Sequence, residues 1–232
     1  MHNASALVVS KNTINERLAK CTNSSYITTG CVSSQSKGGN MSHNDQQSIS
    51  RLQVPAEATL PDDLRMIFEQ LNVKPGFVPN VYRAYSLRPD QLRGFMTLYH
   101  AIMDSESALS KAEREMIAVV VSAMNHCFYC LVSHGAVLRI RTKDAALADT
   151  IAANYRAADL TPRQRAMLDF AVKTTLSSAE CDDADLDALR AHGFDDAAIM
   201  DIVQTAAFFN YSNRVASAVG MRPNDEYFTM AR

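Results

Sequence analysis

Two cysteines with two residues between them, Cys127-Phe-Tyr-Cys130, are followed one helical turn later by His134. At about 100° per residue, these positions (i, i+3 and i+7) share one face of a helix. A cysteine heading that helix meets unpaired amides and the positive end of the macrodipole, and both stabilise a thiolate. The histidine, four residues beyond Cys130, stands where it can accept or return the sulfur's proton. Peroxide reduction asks for this set: a thiolate to attack the O–O bond, a second thiol to resolve the sulfenic acid, and a proton for the leaving oxygen. The same residues are also zinc-ligand types, with His126 available as a fourth. Structural zinc usually draws two ligand pairs from separate segments, and no second Cys/His pair is evident. Spacing alone leaves three readings open: a redox pair, a zinc site and an inert core pair.

Other chemistry-bearing residues are less specific. Glu115 lies in the first turn of an expected helix, where a carboxylate is favoured in any case. Twelve residues of straight helix separate it from Cys127 by about 18 Å, so only a chain break at Asn125-His126 brings it near the cysteines. His126 is read as a capping or solvent-facing residue and His100 as a core or interface histidine. Cys181, flanked by Glu180 and Asp182, has a thiolate disfavoured by like charge and is read as inert. Asn213-Arg214 is a candidate for ordering the site or an interface, the arginine also being able to bond helix-end carbonyls.

The elements that position these residues are helical throughout. Leu64, Ile67, Phe68 and Leu71 recur at i, i+3, i+4 and i+7 after Pro61, and Lys74-Pro-Gly-Phe-Val-Pro-Asn80 ends that helix. A second helix is expected over Pro89 to Asp104. Ser110-Lys-Ala-Glu113 reads as a capping box opening a helix that runs through Met116 to Ala123. Val119 to Val121 would also suit a buried strand, but the box and the register of Met116, Val119, Val120 and Ala123 favour a buried helix. Further helices are expected over Cys127 to Ile140, Lys143 to Asn154, from Thr161-Pro162, Asp182 to His192 and Asp195 to Val219. Thr161 with Gln164 forms a second capping box, and Gly193 and Gly220 supply the stops. The fold class is all-α, with no residue-level repeat.

The 232 residues suffice for one ordinary domain plus a tail. Residues 1–50 are rich in Ser, Thr, Asn, Gly and Gln and lack sustained periodicity; they read as a poorly structured tail ahead of a helical domain over 51–232. The tail shares a transit peptide's shortage of acids but shows no basic amphipathic helix, and Met41 is an alternative start. A net charge of −2 gives no bias toward nucleic acid or an anionic membrane. No apolar run reaches 18 residues. Five irregularly spaced cysteines do not suit a secreted disulfide framework, so a reducing, cytoplasmic location is expected.

Glu115, Cys127-x-x-Cys130 and His134, taken together, resemble the active-site signature of the alkylhydroperoxidase D (AhpD)-like family within the carboxymuconolactone decarboxylase superfamily. The chain is most similar to the peroxidase-related branch. That similarity rests on Cys-Phe-Tyr-Cys before Ser-His-Gly, the Lys74-to-Asn80 turn, and Phe209-Asn-Tyr-Ser-Asn213-Arg214 leading to Gly220-Met-Arg-Pro223. It covers about residues 52–228. The resemblance implies an AhpD-like bundle of two related helical halves, assembled as a trimer or hexamer, with a peroxidase site that uses no metal and no cofactor. It implies that Cys130 is the peroxidatic cysteine and Cys127 the more exposed resolving one, with Glu115 and His134 as proton relay. A hydroperoxide is then the substrate and a thiol or lipoyl-type compound the reductant. Some members carry a histidine directly before the second cysteine; here it is Tyr129, a weaker proton acceptor. Two other functions remain on the same residues, a carboxymuconolactone-decarboxylase-like lyase and a redox-sensing or zinc-holding module. The lyases generally lack the Cys-x-x-Cys pair.

Overall fold

The structure, a computed structural model, describes residues 48–232. Among these residues there are helices and turns but no strand. The helices are α1 (Asp62–Val73), α2 (Asn80–Tyr85), α3 (Pro89–Met103), α4 (Lys111–Met124), α5 (Phe128–Thr142), α6 (Ala145–Asn154), α7 (Pro162–Ser177), α8 (Asp183–Ala191), α9 (Asp196–Ala218) and α10 (Glu226–Thr229). No described helix is long and apolar enough to cross a membrane.

Helix α4 is the axis of the bundle and packs against α5, α6, α7 and α9. Its apolar residues point in every direction, the pattern of a helix buried on all sides. Ile117 to Val121 are wholly inaccessible, and the isoleucine and each valine contribute about 1.5–3 kcal/mol of burial. The valine run therefore becomes helix because it must fill a round core rather than pair along an edge. The helix opens with the expected box: the Ser110 hydroxyl accepts from the Glu113 amide, and the Glu113 carboxylate accepts from the Ser110 amide.

Three consecutive charged residues of α4 are nonetheless buried, Glu113, Arg114 and Glu115. Buried charge persists only when paired. Glu113 meets Arg163 of α7, and Arg114 donates to the carbonyls of Ile102 and Ser105. Glu115 meets His134 of α5.

The reversal between α4 and α5 is short because His126 adopts a left-handed backbone, φ 51°. Folding α5 back along α4 removes the separation that a straight helix would impose on Glu115. Lys143, also left-handed, ends α5, and the Asp144 carboxylate caps α6. Thr161 and Asp182 cap α7 and α8, each in a full capping box.

Ahead of α1, Ile49 accepts from the Arg222 amide and Arg51 donates to the Val219 carbonyl, which fixes this stretch of chain on the end of α9. The rest of the tail expected over residues 1–50, with Cys21 and Cys31, lies outside the described residues. The Lys74–Asn80 turn is present, but α2, too short to show a helical period, starts at once behind it. Arg139, buried on α5, donates to the Met230 and Tyr227 carbonyls and holds α10 against the bundle.

Candidate active site

Cys127 is the N-cap residue of α5, with extended backbone, and Cys130 sits one turn in. Both are free, and both are 1% exposed. The expected greater exposure of Cys127 is therefore not seen; the two differ instead in what they border. Cys130 lines a cavity of about 80 Å³ together with Ser133, His134 and Ser212. Cys127 lines a separate open cleft of about 520 Å³, with His126, Phe128, Met221, Arg222 and Phe228. Another surface cleft, about 660 Å³ around Tyr155, Arg165 and Lys173, is lined by neither cysteine nor histidine among the described residues.

His134 Nδ1 lies 2.7 Å from Glu115 Oε2. A carboxylate oxygen accepts here, so Nδ1 is the ring nitrogen that donates. The ring is further fixed by an edge contact with Phe209, centroids 4.5 Å apart. The side chain of His134 forms no direct hydrogen bond to Cys130 among the described residues. The Cys130 sulfur instead lies 3.9 Å from the Ser212 hydroxyl, and the imidazole shares the cavity beside it.

The two thiols are driven apart in acidity. The Cys127 thiol is lowered to about 6, chiefly because the Cys130 thiol donates to its sulfur, against the cost of burial. The backbone amide of Cys130 faces the same sulfur, short of a full capping bond. Ser217 and Asn213 side chains add donors. Cys130 is pushed well up, because its proton is held by Cys127, because it is buried, and because a thiolate stands beside it. Asn213 and Ser212 oppose that rise. Cys127 is thus the stronger acid of the pair, with the Cys130 proton directed at its sulfur.

Asn213 is itself oriented by a polar network. Asn125 Nδ2 donates to the side-chain oxygens of Asn210 and Asn213, both at 2.9 Å, and Asn213 Nδ2 donates to the Ser122 hydroxyl at 3.0 Å. Because its oxygen is occupied by Asn125, Asn213 turns its N–H group toward Ser122 and the sulfurs. Arg214 donates to the Asn210 carbonyl and side-chain oxygen, steadying the next link. Of this network only the Asn213-Arg214 pair was anticipated. Asn210, Asn213 and Ser217 stand at i, i+3 and i+7 on one face of α9, and that polar stripe is the signal in the sequence.

The remaining candidates lie elsewhere. His100 is neither core nor ligand: its side chain is exposed and pairs with Asp104 at the surface. Cys181 is half-buried between α7 and α8, apart from the pair. His126 is exposed at the rim of the Cys127 cleft. Among the described residues no three His, Cys, Asp or Glu side chains converge as metal ligands.

Residues 89–152 match the carboxymuconolactone decarboxylase family. Among solved structures, the chain is 51% identical to an uncharacterized peroxidase-related protein of Ralstonia eutropha JMP134, described as an alkylhydroperoxidase AhpD core. That match covers 80% of this chain and 97% of the other, with a TM-score of 0.78. An uncharacterized peroxidase-related protein of Silicibacter sp. TM1040 is 48% identical, covering 82% and 100%, also with a TM-score of 0.78. The debrominase Bmp8, at 20% identity, TM-score 0.64 and coverage of 80% and 96%, shares the fold. No curated protein matches the chain.

Proposed function

Because the chain belongs to the AhpD-like, peroxidase-related proteins of the carboxymuconolactone decarboxylase superfamily, we propose that it is a thiol peroxidase working through Cys130 and Cys127. One observation carries this reading: a histidine held by a buried carboxylate shares a small cavity with one cysteine of the pair, while the other cysteine borders a separate open cleft.

The hydroperoxide enters the Cys130 cavity. His134 Nε2 takes the Cys130 proton, and Glu115 stabilises the resulting imidazolium. The Cys130 thiolate attacks the terminal oxygen, the O–O bond breaks, and the departing alkoxide takes the proton from His134. The products are an alcohol, or water from hydrogen peroxide, and a Cys130 sulfenic acid. The Cys127 thiolate, already ionised at neutral pH, attacks that sulfur, and hydroxide leaves as water with one proton. A dithiol, or two monothiols, then reduces the disulfide from the cleft through a mixed disulfide on Cys127. Release of Cys127 is favoured by its strong acidity, since a better-stabilised thiolate leaves faster. The reductant is a thiol or lipoyl-type compound, and the chain needs no metal or cofactor for any of these steps.

A lyase acting on a lactone acid would need a cation to hold the substrate carboxylate. Among the described residues no Lys or Arg lines the Cys130 cavity, which favours the peroxidase. Counting free thiols before and after one equivalent of hydrogen peroxide, with metal content measured on the same sample, tests the reading. Loss of two thiols per peroxide is expected. Untouched thiols with stoichiometric zinc would indicate a metal-holding module. Untouched thiols with carbon dioxide released from a lactone acid would indicate the lyase.

A further inference from the structure

Resting on the peroxidase reading, we infer that the Cys130 cavity is a size and charge filter that admits hydrogen peroxide and one- or two-carbon hydroperoxides and excludes bulky or anionic ones. The cavity holds about 80 Å³. Pockets that take drug-sized ligands run to roughly 300–1,000 Å³, so this one has room for only a small ligand. Hydrogen peroxide and ethyl hydroperoxide have two and four heavy atoms; the ring of cumene hydroperoxide or an acyl chain far exceeds the space.

The walls resist expansion. Phe95, Phe208 and Phe209 are buried, and their rings pack on one another, Phe95 to Phe208 at 5.3 Å and Phe208 to Phe209 at 5.4 Å. Phe95 is backed in turn by Tyr85 at 4.5 Å. Close-packed interiors do not open by a methylene without cost, so a larger substrate displaces rings that already have partners.

The lining is also electrically neutral toward a ligand. Its polar groups are hydroxyls, the Cys130 thiol and the His134 imidazole, with no Lys or Arg among the described residues. The nearby carboxylate, Glu115, is turned to His134 Nδ1. A hydroperoxide bearing a carboxylate would lose its hydration and find no cation, whereas a neutral hydroperoxide finds hydrogen-bond partners at the oxygens and apolar rings around a short alkyl group.

Oxidation of the cysteine pair in the full chain can be followed under excess hydrogen peroxide, ethyl, tert-butyl and cumene hydroperoxides, and a fatty-acid hydroperoxide. Hydrogen peroxide and ethyl hydroperoxide should react at similar rates. Cumene and fatty-acid hydroperoxides should be slower by about 100-fold or more, the scale of a misplaced reacting atom. Phe208→Ala should raise the cumene-to-hydrogen-peroxide rate ratio by about tenfold or more. Val137→Ala, a milder opening of the same cavity one turn beyond His134, should raise it in the same direction and guards against a misfolded phenylalanine variant. Equal rates for all five peroxides, or a ratio unmoved in a folded Val137→Ala, would overturn the filter and leave the peroxidase reading standing. No oxidation by any peroxide would remove both.

Discussion

Removing the Asn213 amide should make Cys127 a weaker acid by a calculable amount. The Cys127 thiol sits at about 6 through four donors, of which the Cys130 thiol is the largest and Asn213 the smallest. A hydrogen bond to a charged group is worth about 1.5 kcal/mol at the low end of its range, and about 1.4 kcal/mol corresponds to one pH unit. Asn213→Ala should therefore move the Cys127 midpoint from about 6 to about 7. The sign matters for the assay, because a raised midpoint depletes thiolate only below it. The thiolate fraction falls about eightfold at pH 5.5 and hardly at all at pH 8. Peptide-resolved iodoacetamide alkylation of Cys127 between pH 4.5 and 9 reads this directly. The variant also strips partners from Ser122 and Asn125, at about 1–3 kcal/mol, so a thermal melt must accompany the profile. Ser217→Ala, which disturbs no part of that network, should shift the midpoint the same way. Midpoints near 6 in both folded variants would refute the idea that α9 tunes this sulfur.

Cys130→Ser should abolish peroxide consumption, while Cys127→Ser should react once and stop as a Cys130 sulfenic acid that dimedone traps. The opposite outcome, read by mass spectrometry, would reverse the two roles. Glu115→Gln and His134→Ala should each keep both thiols yet slow turnover by about 100-fold or more in a coupled peroxide assay. Arg139→Leu should cost about 1–3 kcal/mol by urea titration, since the carbonyls of Tyr227 and Met230 lose their donor. Light scattering at micromolar concentration should return a trimer or a multiple of it, consistent with large apolar side chains such as Leu98, Leu176 and Met200 left exposed on the single chain; a monomer mass would contradict this.

Local chemistry was legible in advance, and long-range chemistry was not. Ser110 with Glu113, Thr161 with Gln164, and Gly193 and Gly220 announce helix ends because capping acts within one turn. The i, i+3, i+7 spacing of Cys127, Cys130 and His134 follows from helix geometry alone. The Glu115–His134 contact depends on a left-handed His126 that nothing in the residue type demands. Which sulfur is the stronger acid depends chiefly on the Cys130 thiol donating to Cys127, and Ser217 and Asn213 add their donors only after α9 packs beside α5. Helices α2 and α10 are too short for periodicity to reveal. His100 lies on an apolar-looking stripe, and its pairing with Asp104 at the helix end decides that it faces solvent.

The most direct measurement is peptide mapping of the full chain after brief exposure to one equivalent of hydrogen peroxide. A disulfide joining Cys127 to Cys130, formed with loss of one peroxide per pair and reversed by a dithiol, is the expected result. Cys127 and Cys130 recovered as free thiols while peroxide persists, or oxidation confined to Cys181, would contradict a peroxidase built on this pair.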